Sequence, residues 1–289
     1  SERDGLGVEP GGAVLGPAGG GCAGSGARPG DAVKGIDGAS VAGIPDCDEL
    51  ARLGYEFGFP RIAFGAHRDP SGPEYLIRLR LAGMLARPYV YLRSWEDARA
   101  QARFHVALAR DLGCSFVWVD IEPAKAQAED GSWPIPTDAP EQTREVVLAY
   151  LQEAIRLEMP VGIYGGAYYL RSLRLPEWVG GLPLWLADYN PPPNVPAPWH
   201  DHTVWQTKGN LRVGVASIDE NETPLTREQL DALLGPGAIP APLPYDILSP
   251  VIAATRAAAG HGAGSVLDFV TTDEGPIVGG DAPRNRSGG

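Results

Sequence analysis

The chain predicts an α/β fold: an irregular TIM-like (β/α) barrel with fewer helices in its second half. Three observations carry this. Short apolar, β-branched or aromatic runs alternate with amphipathic stretches from Val33 to about residue 182, as in a parallel sheet flanked by helices. From residue 183 onward the strand-like runs follow one another with almost no helical stretch between them. Polar or aromatic residues close most runs, where a barrel gathers its active-site groups.

The elements follow in order. Val33 to Asp37 reads as the first strand and Arg61 to Gly65 as the second. Residues 74–86 place Leu76, Leu79, Ala82 and Gly83 on one stripe, which predicts a helix. Pro88-Tyr89-Val90-Tyr91-Leu92 alternates as a third strand. Ser94-Trp95-Glu96-Asp97 resembles a capping box, opening a helix to about Leu112 that Gly113 closes. The next run, Phe116 to Pro123, is the most telling. It is a buried strand ending in Asp120 and Glu122, which share one face while Val119 and Ile121 share the other. A loop rich in Pro, Asp and Gly fills 123–140. Thr137 to Pro140 then starts a helix with Pro in its first turn and a stripe of Val147, Leu151, Ala154 and Ile155. Strands are predicted at 160–165, 184–189, 203–206 and 213–219.

This gives three segments: a Gly-rich arm over 1–33, a barrel over 34–235 and a Pro/Gly-rich extension over 236–289, with a short helix at 248–259. Eleven of the first thirty residues are Gly, so the arm has little to bury and much entropy to lose on ordering. A net charge of −12 argues against nucleic acid as a partner. No run approaches the roughly 20 apolar residues of a membrane span. The N-terminus lacks a basic region followed by an apolar core, so no signal peptide is expected. Cys22, Cys47 and Cys114 are odd in number and widely spaced, which predicts neither a disulfide framework nor a zinc site. Metal and cofactor are both expected to be none.

Candidate chemistry lies at the strand ends: Asp37, Tyr89, Tyr91, Asp120, Glu122, Tyr164, Asp188, Gln206 and Asp219. Acids gathered around one mouth repel, and the repulsion raises the pKa of at least one of them. A glycosidase needs that pairing of a protonated carboxylic acid with an ionised one. Tyr89, Tyr91, Tyr164, Trp185 and Trp205 are candidates for stacking on sugar faces.

The series of motifs resembles glycoside hydrolase family 25, the lysozymes often found in phages and bacteria. Gly35-Ile36-Asp37 resembles the family's opening strand, and Arg61 to Asp69 its second strand and following aspartate. Pro88-Tyr89-Val90-Tyr91 stands where the family has Gly-x-Tyr-His-Phe, and Val119-Asp120-Ile121-Glu122 matches its D-x-E. Met159 to Tyr164, Pro183 to Tyr189, Val204-Trp205-Gln206 and Ile218-Asp219-Glu220-Asn221 match its later strands. The departures are Ala39 at a position usually Ser, with Ser40 one later, and Val90-Tyr91 in place of His-Phe. The resemblance implies a muramidase that cleaves the β-1,4 bond between N-acetylmuramic acid and N-acetylglucosamine. Glu122 would be the general acid and Asp120 its partner, with Asp37 and Asp219 on the same floor. Tyr89, Tyr91, Tyr164, Trp185, Asp188, Trp205 and Gln206 would bind substrate. The implied partners are peptidoglycan glycan strands. Other phage virion subunits, met through 1–33 and 236–289, are further expected partners. The implied setting is synthesis in a bacterial cytoplasm and action on the cell wall, either after lysis or from a virion.

Two other readings compete. A family 18 chitinase needs acids seven and four residues before the Glu, where this chain has Ser115 and Trp118. A non-catalytic carbohydrate-binding or structural virion protein would keep the barrel without turnover.

Overall fold

The computed structural model describes residues 32–39, 42–123, 125–126, 135–136 and 139–235. The expectations for the arm up to residue 31, Ser40, most of the loop 123–140 and everything beyond 235, including the helix at 248–259, lie outside these residues.

The chain forms β1 (Val33–Gly38), α1 (Cys47–Arg52), β2 (Phe57–Phe64), β3 (His67–Arg68), α2 (Gly72–Leu81), β4 (Leu85–Ala86) and β5 (Tyr89–Tyr91). It continues with α3 (Ala98–Asp111), β6 (Val117–Asp120), the small pair β7 (Lys125–Ala126) and β8 (Ile135–Pro136), and α4 (Pro140–Arg156). Then come β9 (Val161–Gly166), α5 (Ala167–Ser172), a 3-10 turn at Glu177–Gly181, β10 (Leu184–Ala187), β11 (Val204–Val213), β12 (Ala216–Thr223) and α6 (Arg227–Leu234).

Eight strands close a ring in the order β1, β2, β5, β6, β9, β10, β11, β12, and β12 returns to β1. From β1 to β11 the neighbours are parallel; β12 is antiparallel to both β11 and β1. The irregularity predicted for the second half is therefore a hairpin, β11–β12, in place of a last helical crossover.

Strand alternation divides the apolar residues between two cores. Val90, Val119, Ile121, Ile163 and Leu186 face outward onto the helices. Phe57, Phe59, Phe116, Trp118 and Trp185 face inward and fill the barrel. Their rings meet edge-on or tilted, with Phe59 5.0 Å and Trp118 5.8 Å from Trp185, the preferred aromatic geometry. The ring stack needs glycine beside it. A Cβ on Gly162 would fall 2.2 Å from Trp118, and one on Gly35 2.1 Å from Phe57. Leu230 and Leu234 of α6 join this inner core, so α6 plugs the bottom of the barrel. Buried Arg87 clamps it there through Asp231 and the carbonyls of Leu234 and Gly235. With the lower interior filled by rings, only the upper mouth is open to polar chemistry.

Several boundaries differ from expectation. Val33 belongs to β1, not to the arm. β2 begins at Phe57, four residues before the predicted start, because Pro60 hid its continuity. The helix predicted over 74–86 ends at Leu81. Gly83 takes φ +79, Met84 N–H turns back to Leu79 O, and Leu85–Ala86 joins β2 as β4. Asp97, not Ser94, caps α3: its carboxylate accepts from Ala100 N at 2.6 Å, while Glu96 bonds elsewhere. The strand predicted at 213–219 is the hairpin turn and first half of β12, because Gly214 turns left-handed at φ +59. α1, α5 and α6 were not predicted; the first two are only six residues long.

His105 of α3 is fully buried, with Nε2 2.7 Å from Gly65 O and Nδ1 3.1 Å from Tyr150 Oη. A carbonyl only accepts, so Nε2 carries the proton and Nδ1 accepts from the phenol. Burial pushes the His105 pKa from 6.5 down to about 4, against the smaller opposing effects of Gly65 O and Glu96. Between those values the unfolded chain takes a proton that the folded chain refuses. Stability is therefore full above pH 6.5 and falls as pH drops toward 4, by up to about 3 kcal/mol. Urea unfolding at pH 7 and pH 4.5 checks this. Wild type should lose more stability than His105→Gln, and equal losses would contradict the assignment.

Candidate active site

The site is built from strand register. Tyr91 of β5 is level with Asp120 of β6, Asp120 with Tyr164 of β9, and Tyr164 with Trp185 of β10. Inward-facing Trp118 is part of the ring stack, so Asp120, two residues on, points into the space above it. Glu122, two further, lies on the same face nearer the mouth. Ile121 N–H bonds Tyr164 O and Leu92 N–H bonds Asp120 O, which holds this segment straight past the end of β6. Asp120 is buried, and Glu122 is partly exposed.

The facing wall comes from the hairpin. β12 runs antiparallel to β1, which sets Asp219 directly opposite Asp37. Only an antiparallel last strand lets an acid from its first half reach the mouth. Gln206 of β11 joins the two. Its Nε2 donates to Asp37 Oδ2 at 2.8 Å and to Asp219 Oδ2 at 3.2 Å. Its Oε1 accepts from Tyr164 and Tyr189 hydroxyls, both at 3.0 Å. An amide has two donor hydrogens and two acceptor lone pairs, so Gln206, fully buried, is saturated. Asn221 adds a second donor to Asp37 Oδ2 at 2.8 Å and accepts from Trp185 Nε1 at 2.7 Å. Asn210 N–H serves the other oxygen of Asp219 at 2.7 Å.

These walls enclose a cleft of about 190 Å³ lined by Asp37, Arg61, Tyr89, Tyr91, Asp120, Glu122, Tyr164, Trp185 and Asp219. A larger groove of about 390 Å³, lined by Pro140, Glu141, Tyr168, Arg171, Ser172 and Arg174, holds one carboxyl group and cannot supply an acid with a second carboxylate.

Electrostatics follow the geometry. Burial first, then the charge of Asp219, holds Asp37 well above the usual carboxylate range; the amides of Asn221 and Gln206 pull the other way. Asp219 is also raised, mainly by burial, with Asn210 N–H opposing. Burial and the surrounding acids raise the phenols of Tyr89 and Tyr164, and Tyr189 to about 12. All three stay protonated and can donate at neutral pH. A carboxyl raised on folding holds its proton longer when folded, so the stability it contributes falls as pH rises. Among the described residues no group of three His, Cys, Asp or Glu is placed to hold a metal ion.

The predicted residues separate into three groups. Asp37, Asp120, Glu122, Asp219, Tyr89, Tyr91, Tyr164 and Trp185 all meet at the cleft. Gln206 is not among the lining residues, and its amide spends its hydrogen bonds on Asp37, Asp219, Tyr164 and Tyr189. Asp188 and Trp205 are not among the lining residues. The Asp188 carboxylate folds its own loop by accepting from Asn190 N–H at 3.1 Å and Asn194 N–H at 2.9 Å, and Trp205 Nε1 donates to Asp188 O. Sequence reasoning missed Arg61, Tyr189 and Asn221. A charged residue inside the apolar run FGFPRIAF was the available signal for Arg61. For Asn221 it was the shared face with Asp219.

The family described as "Glycosyl hydrolases family 25" matches residues 36–214. No curated protein matches the chain. Among solved structures, the chain is similar to a bacterial lysozyme from Streptomyces coelicolor, with TM-score 0.59 and 19% identity over 71% of this chain and 98% of that one. A family 25 lysozyme from Aspergillus fumigatus gives TM-score 0.57 and 18% identity over 71% of this chain and 100% of that one. The CTP1L endolysin gives TM-score 0.55 and 19% identity over 70% and 69%. The family match spans well over half of the chain, so the protein belongs to glycosyl hydrolases family 25 and is a glycoside hydrolase of the lysozyme type.

Proposed function

We propose that the protein hydrolyses the β-1,4 bond between N-acetylmuramic acid and N-acetylglucosamine in peptidoglycan, with Glu122 as the general acid. The observation that carries this reading is the meeting of four carboxyl groups, from β1, β12 and the β6 segment, in one cleft walled by Tyr89, Tyr91, Tyr164 and Trp185. Glycoside hydrolysis needs one carboxyl group to protonate the leaving oxygen and another to stabilise or trap the developing cation. Asp37 is poorly placed to give up a proton to substrate. It is 5% exposed, and one oxygen is occupied by two amides. Glu122 is nearer the mouth and more exposed. Asp120 stands beside it and supplies negative charge where the sugar becomes positive. Asp37 and Asp219 form a floor whose repulsion Gln206 and Asn221 offset.

The arm, which ends before Val33, and the extension 236–289 are read as elements outside the catalytic barrel, which begins with Val33 of β1. The resemblance to phage lysozymes supports a role at phage lysis or on a virion, with these segments meeting other subunits. Turbidity of a peptidoglycan suspension tests the activity: clearing is expected for the full chain and for a chain lacking residues 1–31. Failure of both to clear it would remove the reading.

A further inference from the structure

The acid machinery leaves one wall of the cleft unused. Arg61, the cation among the lining residues, lies over the Phe64 ring at 5.2 Å. Arg93 lies against the same ring at 4.9 Å and against Trp95 at 5.6 Å. From the cleft outward the wall therefore alternates cation and ring: Arg61, Phe64, Arg93, Trp95. Trp95 is 55% exposed, so part of its ring is open to a ligand.

The wall is braced in place. Fully buried Asp69 accepts from Arg61 Nε at 3.0 Å. Glu96 takes Arg93 Nη1 at 2.7 Å on one oxygen and Ala66 N–H at 2.7 Å on the other. Gly65, at φ +56, makes room, since a Cβ there would fall 2.5 Å from both Arg93 Cδ and Glu96 Oε2. Each guanidinium carries five N–H donors. Both Nη groups of Arg61 and one of Arg93 have no hydrogen-bond partner among the described residues. A guanidinium resting on a ring keeps its in-plane edge for a carboxylate, and the fork matches that group in shape.

In a chain of net charge −12, Arg61 in the lining of an acidic cleft, and Arg93 against the same Phe64 ring, keep N–H donors suited to an anionic feature of the substrate. The glycan backbone of peptidoglycan offers hydroxyl and acetamido groups. Its carboxylates are on the peptide attached to the muramoyl residue. We propose that the Arg61–Phe64–Arg93–Trp95 wall is a subsite for this acidic stem peptide. Arg61 and Arg93 bind its carboxylates, and Trp95 covers its apolar side chains. The assignment rests on the muramidase reading and names the part of the substrate that reading leaves open.

The test compares wall glycan strands with the same strands after carbodiimide amidation, which neutralises the peptide carboxylates and leaves the peptide in place. Wild type should show a KM about tenfold higher on amidated strands with kcat little changed, the size of one charge-assisted hydrogen bond. Arg93→Gln should raise KM on untreated strands and bring the ratio of the two KM values close to one. Trp95→Ala, at an exposed position that tolerates change, should narrow the same ratio and serves if Arg93→Gln does not fold. Equal wild-type KM values on both substrates would overturn the proposal and leave the muramidase reading standing. So would an unchanged ratio in the variants. Wild type that cleaves neither substrate removes both.

Discussion

Glu122→Gln lowers kcat on peptidoglycan by about a thousandfold or more, the scale of a lost general acid, and leaves the fold intact. Glutamine keeps the size and polarity of the side chain but has no acidic proton for the leaving oxygen. The position is partly exposed at the mouth, so the substitution opens no cavity. KM should change much less, because the interaction lost is one made in the transition state. Asp37→Asn separates the roles of the acids. Asp37 is held well above the usual carboxylate range by burial and Asp219. If it were the proton donor, its amide would be as inactive as that of Glu122. As a floor residue, its amide removes a repulsion and costs less activity. Steady-state rates on solubilised glycan strands, with circular dichroism as the fold control, decide between them.

Gln206→Glu destabilises the protein by about 3–5 kcal/mol at pH 7, in the range for leaving buried charge without its partner. The substitution removes the donors to Asp37 and Asp219 and puts a third carboxylate between them. It keeps an acceptor for the hydroxyls of Tyr164 and Tyr189, so shape is preserved and the loss is electrostatic. The sign of its pH dependence follows. The new carboxyl, buried among acids, has a folded pKa above its unfolded value, so the deficit grows as pH rises and shrinks as pH falls. Denaturant unfolding of wild type and variant at pH 4.5 and pH 7 measures this. A deficit independent of pH would mean that Gln206 only fills space.

Much of this arrangement can be read from the chain, because a barrel strand writes its own signal. Val117 to Asp120 is apolar until the acid that faces the mouth, and the same logic exposes Asp37, Tyr91 and Tyr164. What could not be read is non-local. Asp37 and Asp219 are paired by an antiparallel register, and Gln206 meets Asp37 across 169 residues. No local pattern encodes those contacts. The hairpin itself was hidden because Gly214 stands alone in a β-rich run, without the Asn-Gly or Asp-Gly pair that marks a two-residue turn. α6 did carry a signal in Thr226 and Gln229, which form a complete capping box. Its eight residues stand between the last predicted strand and a Pro-rich stretch, and no element was assigned to them. Gln206 and Asp188 are the converse case, since neither is among the residues that line the cleft. Each was chosen as a polar residue at a strand end, and each spends its hydrogen bonds on its own scaffold.

The most direct measurement is the identity of the new reducing ends in a peptidoglycan digest. After borohydride reduction, a wild-type digest should yield muramitol, and the Glu122→Gln digest should yield neither sugar alcohol above background. Glucosaminitol from the wild type, or full muramitol release by the Glu122→Gln variant, would contradict the account.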